Sequence, residues 1–255
     1  MSKSFVIGFV FGLCLLGIAG AGASRQDGKQ AAQYQAEIVD ATPVQRTVLT
    51  ENQRFHSRLH NGFGQNPAGK PISQWIASEK GQKEVLGRYV NGKVWLPSGQ
   101  PELPSDYFGR FAHDSDAIVR GQAINKNSQI TEDDSFLFTD YEVVIREVFK
   151  NSKTEPINVG SQITVTCLGG KVVLDDVIMK AGGNGVSLLP VNAQDVLLFL
   201  RFIPETGGYK LAEYNGAFEL NGNSVRPLAG LFPITPGFFD DEPSFLKTIK
   251  DVSNR

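Results

Sequence analysis

The chain has 255 residues, a net charge of -2, 41% apolar residues and 20% charged ones. That balance belongs to a folded soluble protein: it excludes a disordered chain, and it lacks the basic surplus that tracks a nucleic-acid backbone. No nucleic-acid partner is expected.

The first residues, MSKSFVIGFVFGLCLLGIAGAGAS, set Lys3 ahead of the uncharged run 5–18 and close on small residues, with Ala21 and Ala23 at the spacing a signal peptidase reads. A signal peptide over residues 1–23, cleaved after Ala23, is expected, leaving a secreted or periplasmic protein with no membrane span. The charge-free stretch 4–24 is about 20 residues long, so an uncleaved anchor is the alternative. Leu13 precedes Cys14 where a lipoprotein signal needs a small residue, which argues against lipid anchoring. Loss of Cys14 leaves Cys167 alone and no internal disulfide, so the core itself must hold the fold.

Residues 24–104 form a polar N-terminal region, partly helical or irregular. Its first piece, 25–71, is rich in Gln, Asn and Gly and reads as tether or irregular structure. In ISQWIASEKGQKEVLGRYV, residues 72–90, Trp75, Ile76, Glu79, Leu86 and Tyr89 fall on one helical face, with Gly81 as a weak point. Pro97, Pro101 and Pro104 then mark a boundary.

Residues 105–230 carry the β domain. Ser105 suits an N-cap, and Tyr107, Phe108, Phe111 and Ala112 recur at helical spacing, so a short helix runs into a strand over 117–124. In FLFTDYEVVIREVFK the period becomes two: Leu137, Thr139, Tyr141, Val143 and Ile145 share one face, Asp140, Glu142, Val144 and Arg146 the other. A further strand places Ile163, Val165 and Cys167 inward and Thr164 and Thr166 outward, before Gly169 and Gly170 allow a bend. DVLLFLRF is apolar on both faces over 196–200 and belongs in a central position. GAFELNGNSVRPL is a hairpin turning at Asn221-Gly222. Residues 231–255 end in a helix capped by Asp241, with Pro243 in its first turn and Phe245, Leu246, Ile249 and Val252 as its apolar stripe.

Short strands between turn signals, with helices only at the flanks, predict a mainly β fold: an OB-like antiparallel barrel with a short helix before the first strand and a C-terminal helix. The series SDAIVRGQAI, YEVVIREVFKNS, VGSQITVTCLGG and AQDVLLFLRF resembles the strand series of netrin-like and tissue-inhibitor-of-metalloproteinase domains, and that of uncharacterised bacterial exported proteins. The resemblance covers residues 114–228 and implies the barrel alone. Inhibitors of that group insert an amino-terminal cysteine into the protease zinc site, and this chain has none there, so protease inhibition is not carried over.

No complete catalytic motif is present. KAGGNGVSLLP, before the strand that starts near Asp195, lacks the Gly-Lys-Ser/Thr of a phosphate loop and has neither a preceding strand nor a following helix indicated, so it reads as a strand connection. His56 and His60 share a helical face by spacing, and His113 with Asp114 and Asp116 could complete a metal site. Ser57 stands where a metalloprotease carries its glutamate, so exposed histidines are the expected reading. Glu132, Asp133 and Asp134, Asp175 and Asp176, and Asp240, Asp241 and Glu242 sit where turns and caps use carboxylates. Cys167 reads as a buried thiol. Phe136, Phe138, Tyr209 and Tyr214 read as core before they read as a stacking surface. GVSLL and GNSVR lack the second glycine of a nucleophile elbow. No catalytic residue or cofactor is expected. The reading is a non-catalytic envelope module that binds a protein or glycan partner, with a secreted hydrolase using carboxylates or a histidine metal site as the alternative.

Overall fold

The computed structural model describes residues 42–43, 49–61, 71–72, 74, 84–87, 103–174, 177–181, 188–213, 215–229 and 236–254, all within the unit Thr42–Arg255. In chain order the elements are β1 (Thr42–Pro43), α1 (Glu51–Leu59), β2 (Glu84–Gly87), α2 (Pro104–Asp114), β3 (Ala117–Ile130), β4 (Leu137–Lys150) and β5 (Gln162–Leu168). The chain continues through β6 (Gly170–Leu174), β7 (Val177–Ala181), β8 (Asp195–Ile203), β9 (Gly208–Leu211), β10 (Ala217–Leu220), β11 (Val225–Pro227), a 3-10 turn Pro236–Asp240 and α3 (Glu242–Ser253). The fold is mainly β. No helix among the described residues is long and apolar enough to cross a membrane.

Alternation decides how the strands face. Leu137, Thr139, Tyr141, Val143 and Ile145 of β4 are all buried, while Asp140, Glu142 and Val144 are half-buried and Arg146 is exposed. Strand β3 pairs antiparallel with β4 through three register shifts. A Cβ on Gly121 would lie 2.6 Å from the Val144 carbonyl oxygen, so the strands approach there as only glycine permits. Strand β5 pairs antiparallel with β4, β9 parallel with β5 and antiparallel with β8, and β8 antiparallel with β3. These pairings form a ring of five strands. The hairpin β10–β11 extends from β8, and a second sheet runs β1-β6-β7-β2.

Strand β8 shows why its sequence is apolar on both sides. Val196, Leu198 and Leu200 join Val119, Tyr141, Val165 and Cys167 in one core cluster. Leu197 and Phe199 face the other way, into Phe108, Phe111, Phe218 and Phe245 beneath α2 and α3. Each fully buried ring of that second cluster contributes roughly 1.5–3 kcal/mol by leaving water. Ile72, Phe136, Leu168, Val172 and Met179 make a third cluster.

Polar ties fix the flanking helices. Asp241 caps α3 by accepting from the Ser244 backbone N–H at 3.3 Å, and buried Glu242 accepts from the Gly222 N–H at 2.6 Å. The Lys150 ammonium donates to the carbonyls of Ala112 (2.7 Å) and Ser115 (2.6 Å), satisfying the open end of α2. Buried Asp195 accepts from Arg120 at 2.7 Å and pairs with Arg146 at 2.9 Å.

Several sequence expectations are corrected. Residues 51–59 are helical rather than irregular, because Thr50 and Gln53 form a reciprocal cap and because the helix finds a sheet to pack on. Residues 84–87 are a strand paired with β7, so Leu86 belongs to a ladder, which overrides a helical spacing already weakened by Gly81. Trp75, Ile76, Glu79, Gly81 and Tyr89 lie outside the described residues, as do Pro97 and Pro101. Helix α2 starts with Pro104 at its first turn after Leu103, and Ser105 makes no cap. Strand β3 runs on to Ile130. A strand, β7, does precede the glycine-rich connection, whose residues 182–187 lie outside the described ones; the connection leads into β8 and not into a helix. At the hairpin, positive φ occurs at Gly222 (89°) alone, while the Asn221 side chain accepts from the N–H groups of Asn223 and Ser224.

Gly169 turns the chain with φ 88° between β5 and β6. A Cβ on Gly170 would collide with Thr139 Oγ1. The two glycines therefore serve a turn and a close approach, as their pairing in the sequence implies.

Candidate functional site

Helix α1 begins with Thr50 Oγ1 accepting from the Gln53 N–H at 3.2 Å and Gln53 Oε1 accepting from the Thr50 N–H at 2.9 Å. With its first turn thus closed, the four-residue spacing turns His56 and His60 toward the same side. That side meets the outward face of β4 and β5. His56 is 2% exposed and His60 4%, which overturns the reading of these two as exposed surface histidines. The physical reason is that α1 packs its polar face inward, with hydroxyl and carboxylate partners waiting on the strands.

His56 sits between two of them. Its Nδ1 lies 2.9 Å from Asp140 Oδ1 and its Nε2 lies 3.0 Å from Thr206 Oγ1. A carboxylate only accepts, so Nδ1 carries the proton, and in the neutral ring Nε2 is left to accept from the Thr206 hydroxyl. The Gly208 N–H also donates to Thr206 Oγ1, at 3.3 Å. Thr206 belongs to the turn between β8 and β9, held by the Thr206 and Gly207 N–H groups donating to the Ile203 carbonyl.

His60 has a poorer environment. Its Nε2 is 3.4 Å from Thr166 Oγ1, its ring stacks on Phe138 at 6.2 Å, and its Nδ1 is buried without a hydrogen-bond partner. Burial, then the neighbouring His56 and Lys210, pushes its pKa down to about 3. The ring is neutral at physiological pH. Thr166, expected to face outward, is buried beneath this helix. Ser57 and Arg58 complete the docking by accepting from the Glu132 N–H at 2.5 Å and pairing with its carboxylate at 3.3 Å.

A cleft of about 250 Å³ opens beside the His56 ring. Its walls are the start of α1 (Thr50, Gln53), the outward residues Asp140 and Glu142 of β4, Asn125 of β3, and Thr206. Asn125 donates to Glu142 at 3.4 Å across the β3–β4 pair.

The other candidates go elsewhere. The His113 side chain is 88% exposed at the end of α2, 3.0 Å from its neighbour Asp114. Among the described residues no group of three or more His, Cys, Asp or Glu side chains is placed to share an ion. Cys167 is buried and its thiol is pushed up by burial and then by the Asp140 charge. Asp133 accepts from the Ser135 N–H (3.2 Å) and hydroxyl (2.8 Å) within its turn, and Asp134 takes φ 56°. Asp175, Asp176 and Tyr214 lie outside the described residues, while Phe136, Phe138 and Tyr209 are core.

Sequence reasoning missed Asp140 and Thr206 as partners of His56. Thr206, in Pro-Glu-Thr-Gly-Gly, reads only as a turn. One signal was available: Thr50 and Gln53 have the spacing of a capping box, which marks a helix start even without an apolar run behind it.

No family model matches the chain, and no curated protein matches it.

Proposed function

We propose that the chain is an exported, OB-like binding module whose ligand, a polyhydroxylated compound such as a glycan, lies in the cleft between α1 and the outward face of β4. The observation that carries this reading is the chemistry of the wall: hydroxyls, amides and two carboxylates crowd one opening. Such groups offer donors and acceptors at short spacing, which matches the adjacent hydroxyls of a sugar.

The pairing order supports the OB-like part. Taken in chain order, the ring strands are β3, β4, β5, β8 and β9, with the third parallel to the fifth. OB folds bind oligosaccharides and oligonucleotides on their second and third strands, between the loops that join strands one to two and four to five. Here those are β4 and β5, the turn at 131–136 and the turn holding Thr206. A net charge of -2 favours the sugar over the oligonucleotide. The leader-like residues 1–23 support export, and the likeness to netrin-like strand series supports the barrel.

The test is a glycan array probed with the full chain, followed by calorimetric titration of the best-retained glycan. Glu142→Ala, which removes a charged acceptor from the wall, is expected to weaken binding about tenfold or more. Retention of no glycan, or equal affinity of Glu142→Ala and the unaltered chain, sinks the reading.

A further inference from the structure

We propose that Thr206, His56 and Asp140 form a nucleophilic triad that transfers the acyl group of an ester bound in the cleft. The proposal rests on the cleft being the ligand site and names the bond it acts on.

Three observations carry it. The connectivity is that of an activated hydroxyl: carboxylate to Nδ1 at 2.9 Å, Nε2 to hydroxyl at 3.0 Å. In that order Asp140 fixes the tautomer, and Nε2 is free to take the Thr206 proton. The second observation is placement. The ring is almost wholly buried while Thr206 is half-buried, and all three residues line the same cleft. A substrate, and later a single water, therefore reaches the hydroxyl and Nε2 through the cleft, while the rest of the ring is shielded from bulk solvent. Third, the Gly208 N–H donates to Thr206 Oγ1 from 3.3 Å, which fixes that oxygen in place against the His56 ring. Docking α1 on the sheet by itself needs only one hydrogen bond from His56; it does not require the second nitrogen to meet a hydroxyl at the cleft.

Atoms and protons balance through two half-reactions. Thr206 Oγ1 attacks the ester carbonyl carbon as its proton passes to His56 Nε2. The carbon–oxygen bond to the alcohol breaks, and the leaving oxygen takes the proton from Nε2, leaving an acyl ester on Thr206. Water then attacks that ester, giving its proton to Nε2. The carboxylic acid departs, and Oγ1 recovers a proton from the imidazolium. A cleft of about 250 Å³ suits a small acyl group, such as the acetyl ester of a polyol.

The experiment uses the full chain with 4-nitrophenyl acetate as the probe ester and an alkyl fluorophosphonate as the trapping probe. The expected result is 4-nitrophenol release about 100-fold or more above buffer, the range a positioned base supplies, with the phosphonate adduct mapped to Thr206. Thr206→Val, which keeps the shape and removes the hydroxyl, abolishes both, whereas Thr206→Ser retains hydrolysis. Asp140→Asn lowers the rate and displaces the pH profile. Circular dichroism confirms that each variant is folded.

If Thr206→Val hydrolyses the probe ester as fast as the unaltered chain, or if no adduct forms on Thr206, the proposal is overturned. Glycan binding that persists in Thr206→Val while hydrolysis is absent throughout would leave recognition standing and remove the chemistry alone. Loss of glycan binding from the unaltered chain is a separate failure, that of the ligand site.

Discussion

Helices α2 and α3 meet the strands through phenylalanine rings, whereas α1 meets them through two buried histidines and a serine. Phe108 lies 6.0 Å from Phe199, 5.5 Å from Phe218 and 5.4 Å from Phe245, ring centre to ring centre. Such contacts are strong in sum and weakly directional, so they bind two helices to the sheet while tolerating small shifts. At α1 the contacts are few and directional. His56 meets both Asp140 and Thr206, and His60 accepts an orphaned nitrogen as the cost of its position. The first arrangement supplies stability. The second sacrifices some of it to hold particular atoms in place, which is the pattern expected where a molecule performs its function.

The comparison can be broken most directly at Phe108. Phe108→Ala is expected to cost about 3–5 kcal/mol and to lower the midpoint of global unfolding in urea, since the ring is fully buried among other rings. An unchanged midpoint would mean that the aromatic cluster is not what anchors α2.

The next effect is a pH dependence that resides on the α1 side. His60 titrates near pH 3 in the folded chain, below its ordinary value of 6.5. Between those two values the unfolded chain binds the extra proton, so stability falls as pH is lowered through this window and levels off below the folded pKa. From pH 7 to pH 5 this side chain alone removes about 2 kcal/mol. His60→Leu abolishes that part of the slope. Parallel denaturation of the two proteins at pH 7 and pH 5 measures it, and identical slopes would refute it.

Capping separates the two sides in a third way. Thr50→Ala and Asp241→Ala each remove a helix cap worth about 1 kcal/mol. The Thr50 change is expected to appear as faster hydrogen exchange confined to residues 51–59, while the Asp241 change lowers the global midpoint. Exchange spreading from Thr50→Ala into β8 would show that α1 belongs to the main cooperative unit.

The smallest effect has the opposite sign. At pH 7 His60→Leu removes a buried nitrogen without a partner and keeps the apolar volume, so stability is expected to rise by less than about 1 kcal/mol. A loss of stability would show that the 3.4 Å contact with Thr166 matters more than the orphaned atom.

These differences also explain what the sequence makes legible. Apolar alternation exposes the inward face of β4 residue by residue, and helical spacing exposes the Phe245, Ile249 and Val252 stripe with its Asp241 cap. Both are local signals of burial against an apolar partner. The docking of α1 leaves no such trace: ENQRFHSRL is polar almost throughout, and its burial depends on Asp140, Thr166 and Thr206, which come from distant strands and a turn. Strand β2 is hidden for a related reason, because its partner β7 completes the ladder from far along the chain. Periodicity reports how a segment meets oil. It is silent on how a polar segment meets a complementary polar surface.

The long reach of His56 has a consequence for how the molecule is made. Its two partners lie 84 and 150 residues further along the chain. At a synthesis rate of about 5–20 residues per second, on the order of 10–30 s separates the appearance of His56 from that of Thr206. Helix α1 is thus the earliest described helix to be synthesised and among the last to be seated. The cleft is complete only once the turn before β9 is in place, so chains that stop short of that turn lack its Thr206 side and the hydroxyl it carries.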